Sequence, residues 1–138
     1  MRARQEILWR RDHEDGMRLS RDGCYPEAEA KLRSALEHAR VGGIRDARLA
    51  STLYQLALLS ERRGHPTEAL GLYRRALDVE EKALGPDHPY VAMILRGYAN
   101  LLRRQHHPAR AAELAARAEA IWNGDEHGCC AEWSGSAA

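Results

Sequence analysis

Residues 53–91 read LYQLALLSERRGHPTEALGLYRRALDVEEKALGPDHPYV, and this stretch decides the fold because much of it recurs further along the chain. Eleven residues between positions 50 and 76 are identical to the residue 42 positions later: Ala50/Ala92, Leu53/Leu95, Ala57/Ala99, Leu59/Leu101, Arg62/Arg104, His65/His107, Pro66/Pro108, Ala69/Ala111, Leu72/Leu114, Arg75/Arg117 and Ala76/Ala118. A repeat of this length is typical of solenoids, in which supersecondary units stack on one another.

A third and weaker copy lies 41 positions upstream of the second. Its identical pairs are Arg21/Arg62, Gly23/Gly64, Glu27/Glu68, Ala28/Ala69, Arg33/Arg74, Ala35/Ala76 and Leu36/Leu77. The chain therefore consists of three repeats and a short tail.

Each repeat is predicted to form two helices. Leu53, Leu56 and Ala57 follow the spacing of one helical face. Gly64 favours the left-handed conformation that ends a helix, and Pro66 suits the first turn of the next one. We predict a first helix over residues 3–22, a second ending near residue 40, and further helices over about 46–63, 67–84, 90–105 and 108–123.

The repeat pattern resembles the tetratricopeptide repeat family, whose signature it carries in its leucines and in Ala57, Gly64, Ala69, Tyr73 and Ala76. The extended second helix ending in EEKALGPDHPYVA, residues 80–92, resembles the longer repeats of kinesin light chains, which are common in bacterial proteins. The resemblance implies an all-α fold, a right-handed superhelical solenoid of three antiparallel helix-turn-helix units. It also implies a concave groove lined by the first helix of each repeat.

The domain organisation follows from these boundaries. One repeat domain is predicted over residues 3–123, with repeats at about 8–43, 46–87 and 90–123. The remaining residues, 124–138, are small and polar without periodicity, so we predict a disordered tail. This tail has three acidic residues and no lysine or arginine.

Composition limits the function classes. The chain has 138 residues, with 21 Lys and Arg against 20 Asp and Glu. Its net charge of +1 is too small to attract nucleic acid or membranes by long-range electrostatics. It has no signal-peptide segment and no apolar run long enough to cross a bilayer, from which we expect a cytoplasmic protein. Its three cysteines, of which Cys129 and Cys130 are adjacent, do not make a disulfide framework.

The first helix is the least regular of the predicted elements. Its apolar face is carried by Trp9, Met17 and Leu19, while Asp12 and Asp15 stand where the second repeat has leucines. Terminal repeats are usually atypical, so we expect this helix to be the most frayed or the most atypical of the six.

The groove implied by the resemblance is the candidate binding site. Its first-helix positions include Arg10, His13, Met17 and Arg21 in repeat one and Glu61 in repeat two. The residues predicted to contact a partner are Tyr54, Leu58, Arg62, Met93, Arg96, Asn100, Arg103 and Arg104. Because guanidinium groups grip carboxylates bidentately, this set favours an acidic protein or peptide partner. The alternative is that the arginines form a solvated face of an arginine-rich protein.

Two established uses of such a groove are not indicated. Family members that hold the C-terminal tails of heat-shock chaperones carry Lys, Asn, Asn, Lys and Arg at five groove positions. None is present at the corresponding positions here, which are His13, Met17, Gln55, Met93 and Gly97. Kinesin light chains carry paired asparagines where this chain has Tyr54-Gln55 and Arg96-Gly97. The resemblance to kinesin light chains therefore does not indicate that this chain binds the cargo of a motor protein.

Catalytic and metal chemistry have no motif in the sequence. There is no phosphate-binding loop and no nucleophile–base pair. Glu80 and Glu81 are neighbours on a helix, where adjacent side chains point about 100° apart and cannot share one substrate. His127, Cys129 and Cys130 lack the ligand spacing of a zinc site. We therefore predict no enzyme, no cofactor and no metal.

The C-terminal end of the repeat stack suggests a second class of function. Solenoids usually end in a polar capping helix, and none is evident after Trp122. The residues we expect to be partly uncovered are Leu102, Leu114, Ala118 and Ile121. Trp133 could fold back onto them, a second copy could cover them, or the chain could be a piece of a longer array. A regulatory or assembly module would then self-associate through this end, or its acidic tail would occupy its own groove.

Overall fold

A computed structural model describes the backbone of residues 2–137 and the side chains of residues 2–124. Over this part the chain forms six helices and no strand: α1 (Arg2–Arg21), α2 (Tyr25–Val41), α3 (Ala47–Arg62), α4 (Pro66–Leu84), α5 (Pro89–Arg104) and α6 (Pro108–Ala137). The first five lie within about two residues of the predicted bounds.

The helices pack as three consecutive pairs, α1 with α2, α3 with α4 and α5 with α6. Neighbouring pairs are joined by contacts of α2 with α3 and of α4 with α5, and the first helices also contact one another, α1 with α3 and α3 with α5. This order confirms the predicted all-α solenoid of helix pairs, and it places the three first helices side by side.

Glycine and proline set the helix boundaries, as the sequence predicts. Gly23 and Gly64 have φ angles of 81° and 78°, which close the turns between the helices of repeats one and two. In repeat three the equivalent position is His106, which adopts φ 65° without being a glycine. L-residues with a side chain are strained in this left-handed region. The third turn therefore keeps the shape of the other two at an energetic cost.

Polar side chains cap the incoming first helices of repeats two and three. The side chain of Asp46 accepts a hydrogen bond from the backbone N–H of Arg48 at 2.9 Å, before α3. His88 Nδ1 accepts from the backbone N–H of Tyr90 at 3.2 Å, before α5. Each cap satisfies an N–H group that has no partner within its helix, which fixes where the helix begins.

The main apolar core lies in repeats two and three. It joins buried residues of α3, α4, α5 and α6 in a single cluster, at the centre of which Leu53, Tyr73 and Leu95 have no exposed surface. Small residues at close helix crossings are buried too. Ala57 and Ala99 are at most 1% exposed. A Cβ atom added to Gly16 would lie 2.7 Å from Leu32 Cγ, so only glycine fits that crossing.

The core of repeat one is built differently from the expectation. Its apolar residues form two smaller clusters, one around Trp9 and Ile44 and one around Leu32 and Leu56. Between them on α1 lie Asp12 and His13, both buried. We expect α1 to be frayed or atypical, and it is atypical without being frayed: it is a helix over Arg2–Arg21 whose buried residues include Asp12 and His13. Hydrogen bonds satisfy these buried polar side chains.

Those hydrogen bonds connect three helices. Ser34 Oγ on α2 donates to Asp12 Oδ2 at 2.6 Å, and His38 Nε2 lies 3.3 Å from the same oxygen. Thr52 Oγ1 on α3 accepts from Trp9 Nε1 at 2.8 Å and lies 3.1 Å from His13 Nδ1. We call these residues the polar layer of repeat one.

The C-terminal repeat also departs from the expectation. Leu102, Leu114, Ala118 and Ile121 are at most 6% exposed, because they face the main core between α5 and α6 and not the open end of the stack. The prediction that they stay partly uncovered is wrong. Helix α6 continues to Ala137, past the predicted end at residue 123. No other observation bears on the expected disorder of residues 124–138, which stays a prediction. The expected role of Trp133 also stays a prediction, because its side chain lies outside the described residues.

Candidate protein-binding groove

A cavity of about 310 Å³ lies where α3 and α5 meet over α4. It brings together six of the eight residues predicted to contact a partner: Tyr54, Leu58, Met93, Arg96, Asn100 and Arg104. Three further residues, Glu61, Tyr73 and Gly97, complete its lining.

A second cavity of about 330 Å³ lies on the other side of α5, against α6. Arg103 lines it together with Glu119 and Trp122. Arg96 and Asn100 line both cavities. We call the two cavities together the α5 groove, since α5 runs between them and they share these side chains.

Arg62, the remaining predicted contact residue, lies outside both cavities. It is exposed at the last position of α3, and its Nη1 donates to Ser20 Oγ of α1 at 3.1 Å. Arg104, its equivalent in the next repeat, reaches Glu61 of α3 in the same way. Ser20 and Glu61 are themselves equivalent positions, 41 residues apart. Both arginines therefore connect a first helix to the first helix before it.

Glu61 lowers the positive charge that the groove presents. Its side chain is 13% exposed, and it accepts hydrogen bonds from the Arg104 guanidinium and from the Tyr73 hydroxyl. Such a charge-assisted pair compensates the charge of Arg104. Arg96 and Arg103 are exposed and form no ion pair with the residues whose side chains are described. These two residues, and not all four predicted arginines, carry the unpaired positive charge of the groove, and the exposed carboxylate of Glu119 offsets part of it.

Aromatic rings form the floor of the groove. The Tyr73 ring lies 6.0 Å from that of Tyr54 and 6.1 Å from that of Tyr98, measured between centroids. Burial, followed by the hydrogen bond to Glu61, raises the pKa of the Tyr73 hydroxyl. Burial also raises the pKa of Tyr54, with a further contribution from Glu61. Both phenols therefore remain protonated at neutral pH.

Gly97 makes room for this floor. A Cβ atom at position 97 would lie 3.0 Å from Cε1 and 3.1 Å from Oη of Tyr73. A side chain at this position would therefore require the fully buried Tyr73 ring to shift. The sequence shows this glycine but not the ring beneath it, because the two residues are on different helices.

Repeat one contributes less to the groove than the resemblance implies. His13, one of the expected groove positions, is only 7% exposed and stacks on Trp9 with ring centroids 5.0 Å apart. Burial lowers the pKa of His13, although Glu14 acts in the opposite direction. The expectation that His13 faces the groove is wrong, because the ring is taken into the polar layer. Arg10 and Arg21 are exposed, and Met17 is half-buried.

The described part of the chain holds neither a metal-binding cluster nor a candidate membrane span. Among those residues no group of three or more His, Cys, Asp or Glu side chains is placed to hold a metal ion. The candidate ligands His127, Cys129 and Cys130 have side chains outside this part. No helix within the described residues is long and apolar enough to cross a membrane.

Comparison with known proteins agrees with the geometry of the helix pairs. The family model described as tetratricopeptide repeat matches residues 16–81 and, in a second overlapping match, residues 48–123. No curated protein matches the chain. The two matches together span most of the sequence and follow the observed repeats. Tetratricopeptide repeats are non-catalytic modules that generally mediate protein–protein interaction. The chain therefore belongs to the tetratricopeptide repeat family.

Proposed function

We propose that this protein is an adaptor or scaffold that binds an acidic segment of a partner protein in the α5 groove. The observation that carries the proposal is the placement of Arg96 and Asn100, which line both cavities of the groove. A segment that crosses α5 would meet the guanidinium and the amide together.

The remaining lining residues suit a protein segment. Tyr54, Leu58 and Met93 offer apolar contact area, and Asn100 can donate to and accept from a peptide backbone. Arg96 and Arg103 supply the positive charge that would select carboxylates. The groove is open and preformed, so most of the entropic cost of binding falls on the ordering of the partner.

A capture experiment tests the proposal. The wild-type protein and an Arg96→Glu/Arg103→Glu variant are used to capture partners from a lysate of the source cell at low and high salt. The expected result is a partner that only the wild type retains and that is lost as salt screens exposed charges. Equal retention by both proteins would mean that the arginines are a solvated face.

A matched control separates a groove effect from a change of net charge. Arg45 and Arg75 are also exposed, form no ion pair with the described residues and line a different cavity. An Arg45→Glu/Arg75→Glu variant changes the charge by the same amount away from the α5 groove. We expect it to retain the partner as the wild type does.

Self-association through the C-terminal repeat was the second hypothesis. The four side chains on which it rested are buried within the chain, which removes that argument for it. Sedimentation equilibrium over a range of protein concentrations decides it, since a concentration-independent monomer would exclude self-association. The cytoplasmic location and the occupation of the groove by the acidic tail likewise stay predictions.

A further inference from the structure

A third cavity of about 270 Å³ lies beside the α5 groove, between the N-terminal turns of α3 and α5 and the C-terminal part of α4. We call it the Glu80 cavity. The residues that line it are Ala47, Ala50, Ser51, Tyr54, Gln55, Glu80, Tyr90, Met93 and Ile94.

Glu80 is the only acidic residue of this lining, and one of its two carboxylate oxygens lacks a partner. It is 3% exposed, and its Oε1 atom has no hydrogen bond to any described residue. Burial raises the pKa of its carboxyl, with Asp46 adding to the effect and His88 opposing it. A buried carboxyl group without a donor is unfavourable, whereas one that meets a donor or a cation is stabilised.

The walls of the cavity suit the stem of a long basic side chain. Ala47, Ala50 and Ile94 are apolar, and Tyr54 and Tyr90 present aromatic rings. Lysine and arginine pack their methylene groups along apolar surface, and their charged ends are attracted to aromatic faces. Tyr90 and Met93 are 55% and 40% exposed, so the cavity is bordered by large apolar side chains that solvent can reach.

The cavity and the α5 groove are adjacent, because Tyr54 and Met93 line both. We propose that the Glu80 cavity receives a lysine or arginine side chain of the same partner segment that occupies the α5 groove. This inference rests on the proposed function and adds a second chemical requirement to it. The partner then carries a basic residue in addition to its acidic ones.

The geometry of α5 also sets the spacing of these charges. Met93 borders the Glu80 cavity, and Arg96 and Arg103 follow it along the same helix. With a rise of about 1.5 Å per residue, Arg103 lies about 15 Å from Met93 along the axis. An extended chain covers this distance in about five residues. The acidic residues of the partner are therefore within about five positions of the basic one, on one side of it.

The cavity is tested first with a small probe. n-Butylammonium is titrated into the full-length protein while the Met93 methyl signal is followed by NMR, and n-butanol serves as the neutral probe. We expect a saturable shift with n-butylammonium and not with n-butanol, and affinity at least about tenfold weaker in Glu80→Gln. Equal responses to both probes, or an unchanged affinity in Glu80→Gln, would overturn the proposal.

Glu81→Gln is the matched control. It removes the same charge from the next residue of α4, but Glu81 accepts from Arg117 Nη2 at 2.6 Å and does not line the cavity. This variant is expected to bind n-butylammonium as the wild type does. Loss of binding in both variants would mean that only the overall charge of α4 matters, which would contradict a site at Glu80.

The link to the groove is tested with a random dodecapeptide library selected on wild type, Glu80→Gln and Arg96→Glu/Arg103→Glu. Wild type is expected to select peptides with one Lys or Arg at a fixed spacing from Asp or Glu. Glu80→Gln should lose only the basic position and the arginine variant only the acidic ones. Acidic peptides without a fixed basic residue would overturn this inference and leave the proposed function standing. No selected peptide at all would overturn both.

Discussion

Repeats one and two are built on the same helix pair, but they fill the space between their helices in opposite ways. At equivalent positions 41 residues apart, repeat one has Asp12 and repeat two has Leu53, and both are buried. Leu53 joins one continuous apolar core, whereas Asp12 lies in a polar layer between two small apolar clusters. The same backbone therefore tolerates a charged residue in its interior wherever neighbouring helices supply its hydrogen-bond partners.

The comparison also bears on function. Polar layers depend on the geometry of each hydrogen bond, so they specify one arrangement of helices, while apolar cores depend mainly on volume. The groove and the Glu80 cavity both lie against the apolar repeats. We infer that repeat one serves chiefly to cover α3, and that repeats two and three carry the binding surface.

The largest effect is expected from Leu53→Ala in the apolar core. The change removes a fully buried side chain and leaves a cavity, which costs about 2–5 kcal/mol of unfolding free energy. Urea unfolding followed by circular dichroism measures it. Leu58→Ala, at a half-buried groove position, is the control and should cost less. Similar losses for both variants would contradict a core centred on Leu53.

Asp12→Ala tests the polar layer at the equivalent position. Ser34 and His38 would lose their acceptor, so we expect a loss of about 1–3 kcal/mol by the same urea method. The double variant Asp12→Leu/Ser34→Ala removes donor and acceptor together and should recover most of this loss. If the double variant is as unstable as Asp12→Ala, the hydrogen bonds are not what stabilises repeat one.

His106→Gly compares the third turn with the first two. The left-handed conformation costs a side-chain-bearing residue roughly 1–2 kcal/mol, and the extra freedom of glycine in the unfolded chain offsets part of this. We expect a net gain of about 0.5–1 kcal/mol in unfolding free energy. Gly64→Ala, the reverse change in repeat two, should lower stability by a similar amount. Changes of the same sign in both variants would contradict this account.

The contrast between repeats also explains what the sequence could predict. Helices α3, α4 and α5 begin and end within about one residue of the prediction, because Gly64, Pro66 and Pro89 act on the chain locally. The burial of Asp12 could not be predicted, since Ser34 and His38 are on another helix and no periodic pattern links the three. The sequence therefore predicts that α1 is frayed or atypical, but not that its polar side chains are part of the interior.

For the candidate site, too, some features could be predicted from the sequence and others could not. The resemblance to tetratricopeptide repeats was enough to place Tyr54, Met93, Arg96 and Asn100 around a common cavity. It could not show that Arg62 and Arg104 are drawn to the preceding first helix, since that depends on Ser20 and Glu61 in other repeats. Nor could it show which of the two adjacent glutamates at the end of α4 is buried.

The smallest effect is the pH dependence of the polar layer. Burial lowers the pKa of His13 below its ordinary value of 6.5, so below that pH the unfolded chain binds a proton that the folded chain does not. Stability therefore falls as pH falls through 6.5 towards the folded-state value. Asp12 adds a loss at lower pH. Burial alone would raise its pKa, but the hydrogen bonds from Ser34 and Arg11 lower it below 3.8.

His13→Gln isolates the first of these contributions. Glutamine does not titrate, so the variant should lose less stability than wild type between pH 7 and pH 5.5, as measured by urea unfolding at both values. The raised pKa of Glu80 acts in the opposite sense, since its contribution falls as pH rises above 4.5, but it is present in both proteins and cancels in their difference. Equal losses in the two proteins would mean that His13 is not held neutral. The repeats would then differ in packing but not in their response to acid.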